Sequence, residues 1–192
     1  MWPMHETTNL QNQIPAFPDP VAVNLTPSTT ALLVMDMTEP TCGPQPNCLE
    51  LLPRIGALAK RARAAGVFIA YTAGAAGGAV LPAVYPEPGD PVIIGSQNKF
   101  WSTTLDDQLR ARRIATVVLA GWRANGSILY TSHGATNLRY TVVVPVDGTA
   151  APEPFQVAIG FYQVLNLLSG NATNEPLKPN AVTLSRTDLI TF

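Results

Sequence analysis

Asp36 ends the run Ala31–Asp36 (ALLVMD), and five apolar residues leading to a carboxylate describe a buried strand that delivers an acid–base group. Ser127 lies six residues after Gly121, the end of a second apolar run, Ile114–Gly121 (IATVVLAG). A hydroxyl there reads equally as a nucleophile or as a first-turn helix residue. A serine nucleophile needs a well-placed base, and Asp36 would be that base. Lys99 would stabilise negative charge if its loop folds inward, and is otherwise a solvated loop lysine, the simpler expectation. Trp122 and Arg123 directly follow the second run. An arginine there can clamp a carboxylate, and the indole can stack on a ring or simply pack in the core. Phe100, Trp101 and Tyr130 complete the candidates for substrate contact.

Other chemistry is less well supplied. His5 and His133 form no ligand-spaced cluster with each other or with Cys42 and Cys48, so no metal site and no cofactor are expected. The segment MWPMHETTNLQNQIPAFPDP lacks the basic and apolar regions of a secretory signal. A cytoplasmic address is therefore expected, with Cys42 and Cys48 as free thiols and a local disulfide as the alternative. Cys42, in the loop just after Asp36, is a remote candidate for a substitute nucleophile. A formal net charge of -1 without a basic block argues against nucleic acid or an anionic membrane as partner and leaves a small-molecule substrate. Only 13% of the residues are charged, which points to a surface partly covered by partners or by the chain's own arm, and with the proline-rich N-terminal segment suggests a homo-oligomer.

The elements that must position these groups alternate in type. Residues 1–29 read as an extended, proline-containing arm, and 30–192 as one domain. Strands are expected at Ala31–Asp36, Val67–Thr72, Val92–Gly95, Ile114–Gly121, Tyr140–Val146 and Ala181–Leu184. Helices are expected at Pro53–Ala65, Thr103–Arg113, about Asn125–Leu138 and Phe155–Leu168. Such alternation gives a three-layer α/β/α domain with a six-stranded, mainly parallel sheet in the Rossmann-like order 3-2-1-4-5-6. In that order the first and fourth strands are neighbours, which puts Asp36 and Ser127 across one crevice at the carboxyl ends of the strands.

The segments ALLVMDM, FWSTTLDDQLRARRIATVVLAGW and SILYTSHGATNLRYTVVVPVDGTAA resemble the isochorismatase-like (cysteine hydrolase) superfamily over roughly residues 30–190. The resemblance implies hydrolysis of a small amide through a cysteine thioester, with an aspartate as base and a lysine in support. Its isochorismatase branch lacks the cysteine and uses the aspartate as an acid on a vinyl ether. Matched by position, the aspartate is Asp36 and the nucleophile position holds Ser127. The lysine position falls at Ile94 or Gly95, so the chain is expected to be a divergent member without the usual lysine and cysteine. The resemblance also implies a cis peptide at Trp122–Arg123 and oxyanion donors at the backbone amides of Arg123 and Ser127. The metal-binding histidine motif expected near Ala73–Ala79 is missing. Two functions follow: an enzyme acting on a small metabolite by Asp-centred acid–base chemistry, or an inactive protein that keeps the fold for binding or scaffolding.

Overall fold

The computed structural model describes residues 16–192 apart from Ser169; the first part of the arm, residues 1–15 with His5, lies outside the described residues. Six strands, β1 (Thr30–Met35), β2 (Phe68–Ala73), β3 (Val92–Ile94), β4 (Thr116–Trp122), β5 (Thr141–Pro145) and β6 (Val182–Ser185), pair in parallel in the order 3-2-1-4-5-6. The sheet has seven strands rather than six. After Pro145, which has no N–H to continue the ladder, a tight turn at Val146–Gly148 brings Thr149–Ala150 beside Gly121 and Trp122, extending the end of β4.

β1 shows why its sequence is continuously apolar. Leu32 and Val34 join a core on one face with Ile55, Leu58 and Ala62 of α1 (Leu52–Ala64). Ala31, Leu33 and Met35 face the other core, with Leu105 and Leu109 of α2 (Leu105–Ala111), Leu129 and Ala135 of α3 (Leu129–Asn137) and Phe161 of α4 (Pro154–Gln163). Successive side chains of a strand point to opposite faces, so a strand between two helix layers has no polar side.

Three helices are shorter than their sequence patterns suggest. Thr103 donates its hydroxyl to the Lys99 carbonyl (2.5 Å) and accepts from the Leu105 N–H (3.2 Å), so α2 begins two residues late. Before α3 lies a wide π turn, Ala124–Ile128, where Gly126 is non-helical (φ -126°, ψ -113°). α4 ends at Gln163 and passes into a second π turn, Val164–Leu168. The described part of the arm is anchored, and its last residues, Pro27–Thr29, form a 3-10 turn where extended chain was expected. Val23–Asn24 pairs with Ile190–Thr191, Val21 N–H donates to Leu184 O (3.1 Å), and Val23 and Leu25 are buried in the α1-side core. Among the described residues no helix is long and apolar enough to cross a membrane.

At Gly121 the backbones of β1 and β4 leave no room for a side chain. Gly121 lies opposite Met35 at φ +134°, and a Cβ on it would fall 2.2 Å from the Met35 carbonyl oxygen. Gly121→Ala is therefore expected to lower stability by roughly 3 kcal/mol, combining left-handed strain with a clash against unyielding backbone. Urea denaturation measures this directly, and a loss below about 1 kcal/mol would show that the strand ends can separate.

Candidate functional site

β1 ends one residue short of Asp36, and Asp36 itself turns to φ +53°, an uncommon conformation that aspartate adopts more readily than most residues. Its N–H is held by the Thr72 carbonyl (3.2 Å) and the Thr72 hydroxyl (3.1 Å) at the end of β2. This turn carries the carboxylate over the carboxyl ends of the strands.

Three donors converge on that carboxylate. The Lys99 ammonium lies 2.8 Å from Oδ1, the Thr72 hydroxyl donates to Oδ1 at 2.8 Å, and the Ser127 hydroxyl donates to Oδ2 at 2.5 Å. Lys99 also donates to Ala73 O (3.0 Å), with Gly95 O farther off at 3.5 Å. Its side chain is 0% exposed, and the Asp36 and Ser127 residues are 4% and 8% exposed. The arrangement is a buried ion pair with a hydroxyl as its most outward member.

The solvated reading of Lys99 is overturned, and so is the absence of a lysine. Ile94, at the expected position, ends β3 with an exposed side chain, and Gly95 N–H continues the pairing to Ala73 O (3.1 Å). The chain then folds back over α3. Thr131 accepts from Lys99 N–H (3.1 Å) and donates to Gln97 O (3.1 Å). Asn98 seats against Gly134, where an added Cβ would fall 2.5 Å from its Oδ1. These contacts turn Lys99 inward from a position that lies next to Phe100 in sequence.

The remaining candidates separate. Phe100 stacks on Tyr140 (centroids 5.7 Å apart, planes at 19°) and packs against the α2–α4 core, so it does not face the crevice. Burial, reinforced by Asp106, pushes the Tyr140 hydroxyl well above its usual range; that hydroxyl donates to Asp106 Oδ1 (2.7 Å). Trp122 is buried in the α1-side core, which is the packing role and not the stacking one. Its peptide bond to Arg123 is cis, and Arg123 turns back to donate its Nε–H to Asn125 Oδ1 (3.0 Å). Trp101 and Tyr130 are exposed and line a depression together with Ser96, Gln97 and Asn98. His133 is exposed and pairs with Asn137.

Cys42 and Cys48 form a disulfide, correcting the expectation of free thiols. The turn that begins with Cys42 N–H donating to Thr38 O (2.8 Å) brings their Cα atoms to 5.4 Å, within disulfide range. Cys42 is thereby removed as a nucleophile. Thr72 escaped the sequence reading; its signal was a hydroxyl near the end of the strand beside β1.

A parallel sheet with an ion-paired carboxylate beyond its central strand, facing a hydroxyl at the turn after the neighbouring strand, defines a hydrolase-like α/β fold. The isochorismatase domain model matches residues 30–169, and the chain belongs to the isochorismatase family. It is 29% identical over 157 residues to the uncharacterized isochorismatase family protein YecD of Escherichia coli O157:H7, covering 67% of this chain and 84% of that protein. Among solved structures it resembles a cysteine hydrolase from Pseudomonas syringae pv. phaseolicola 1448A (TM-score 0.73, 20% identity, 88% of this chain and 94% of that one). It also resembles the N-carbamoylsarcosine amidase of Thermoplasma acidophilum (TM-score 0.69, 22% identity, 83% and 97%). At these identities the structural likeness speaks to the fold.

Removing Lys99 would strand a buried carboxylate. Lys99→Met is expected to cost 3–5 kcal/mol in urea denaturation, and adding Asp36→Asn should recover most of that loss. Additive losses in the double variant would mean that the two groups are not coupled.

Proposed function

We propose that this chain is an isochorismatase-family enzyme acting on a small molecule by acid–base chemistry centred on Asp36, without an acyl-cysteine intermediate. The observation that carries this reading is the Ser127–Asp36–Lys99 chain of contacts at 2.5 and 2.8 Å. Both cysteines of the sequence are tied in one disulfide, which supports a route without a thiol nucleophile.

In this reading Ser127 faces the reactant. A proton leaving substrate or water passes to the Ser127 oxygen as the Ser127 proton moves to Asp36 Oδ2, so one hydroxyl links reactant and base. Lys99 balances the carboxylate's charge and is held by two backbone carbonyls while Asp36 changes protonation. Direct attack by Ser127 is the less favoured route, because a carboxylate is a weak base toward an alcohol and no histidine among the described residues mediates. Hydrolysis is the default reaction, and isomerisation, elimination or cyclisation would use the same proton path.

A second reading, a binding or scaffold protein, draws support from the closure of the site. All three groups are nearly inaccessible and satisfy one another.

Turnover of a panel of small amides, ureido acids and enol ethers separates the two. Asp36→Asn is expected to lower kcat by about 10²–10⁴-fold and Ser127→Ala to lower it as well, with no acyl adduct on the intact protein by mass spectrometry. Full activity in Asp36→Asn would remove the acid–base role, and a stable adduct on Ser127 would make it a nucleophile.

A further inference from the structure

The helices of this chain divide by charge. α1 carries Arg54, Lys60, Arg61 and Arg63, and α2 carries Asp106, Asp107 and Arg110. By contrast, no Asp, Glu, Lys or Arg occurs in residues 124–138 or 154–174, the stretches that contain α3 and α4. At the chain's 13% average, stretches of 15 and 21 residues would hold about five charges between them, so the gap is a property of these helices. Arg123, Arg139, Glu153 and Glu175 stand at its borders.

The outward side chains there are largely aromatic or apolar. Tyr130 is 47% exposed on α3, Phe155 and Tyr162 are 57% and 42% exposed on α4, and Leu167 is 70% exposed in the π turn beyond. Phe155 and Tyr162 are seven residues apart, which puts them on one side of α4, with half-buried Ile159 between them. The two helices lie side by side. A Cβ on Gly160 of α4 would fall 2.7 Å from the Ala124 carbonyl, in the turn that leads to Ser127. With their flanking π turns, and about 10 Å between axes, they present a plate of roughly 20 by 20 Å. Side-chain relief brings that to the scale of the roughly 800 Å² each partner gives to a standard interface.

We propose that the outer face of α3 and α4 is a self-association surface whose occupant is a second copy of this chain. An uncharged, aromatic centre with charged residues only at its borders is the composition of a subunit interface. Such a face meets its own copy without repulsion and leaves no ion unpaired on desolvation. A two-fold axis near Ile159 sets the α4 helices antiparallel and brings Phe155 of one protomer onto Tyr162 of its partner. A lipid surface fits less well, because helices that lie on membranes flank their apolar side with lysine and arginine. A different protein would find no charge pattern here to fix its register. Through Gly160, paired α4 helices also back the turn that carries Ser127. The proposal stands apart from the acid–base reading of Asp36.

Sedimentation velocity and equilibrium of the full chain test this. The expected result is a species of twice the 20.5 kDa chain mass at micromolar concentration. Phe155→Glu and Tyr162→Glu should each weaken association about 30-fold or more, the effect of losing a central interface residue, and Phe155→Tyr should preserve it. Tyr85→Glu, at an exposed tyrosine beside α1, should leave the mass unchanged. All these side chains are exposed, and circular dichroism checks that each variant keeps the fold. A wild-type monomer up to about 0.1 mM would overturn the proposal. So would a dimer indifferent to both glutamates, or one broken by Tyr85→Glu instead, since another face would then hold it. A monomer that floats with phosphatidylcholine vesicles, or one in which residues 1–15 cross-link to α4 of the same chain, would name a different occupant and equally overturn it.

Discussion

An ammonium and a carboxylate taken together out of water lose hydration worth several kcal/mol each, and only close approach with every remaining hydrogen bond satisfied offsets that loss. Lys99 and Asp36 meet both conditions. The ammonium has the Asp36 carboxylate and the carbonyls of Ala73 and, more distantly, Gly95, and the carboxylate has the ammonium and the hydroxyls of Thr72 and Ser127. Each partner comes from a different element: the end of β1, the end of β2, the segment after β3, and the turn after β4. The pair is possible only if all four arrive together, so much of the local structure serves it.

The contacts around the pair are correspondingly specific. Gly121 lets β4 approach β1 closely, Gly134 admits the Asn98 side chain, and Thr131 bonds the backbone on both sides of that asparagine. On the opposite side, the Cys42–Cys48 disulfide closes the loop that leaves Asp36. Cys48 Sγ lies 3.7 Å from Met37 Sδ, and Asn47 donates to the carbonyls of Ala151 (3.1 Å) and Pro152 (3.0 Å). The loops beyond the strand ends therefore brace one another around a small polar centre.

That centre differs in kind from a thiol site. With a hydroxyl facing the carboxylate, the readily available chemistry is movement of a proton, since a thiolate forms near neutral pH and an alkoxide does not. The isochorismatase domain supplies the scaffold, and on it the carboxylate of Asp36 meets the hydroxyl of Ser127.

Much of this was written locally. The run at Ala31–Asp36, the six-residue interval from Gly121 to Ser127 and the strand–helix alternation place the strands in order and bring Asp36 near Ser127, because side-chain period and crossover rules act within short stretches of chain. Lys99, Thr72 and the disulfide were decided by tertiary structure. A lysine shifted from its expected place reads as solvated until the segment around it is known to fold back on Thr131 and Gly134, more than thirty residues away. Phe100 and Trp101 are adjacent in sequence and alike in chemistry, yet one packs on Tyr140 and the other faces solvent. Burial is a property of what the rest of the chain brings alongside. The sequence by itself determined which groups were available for chemistry; long-range packing decided which of them meet.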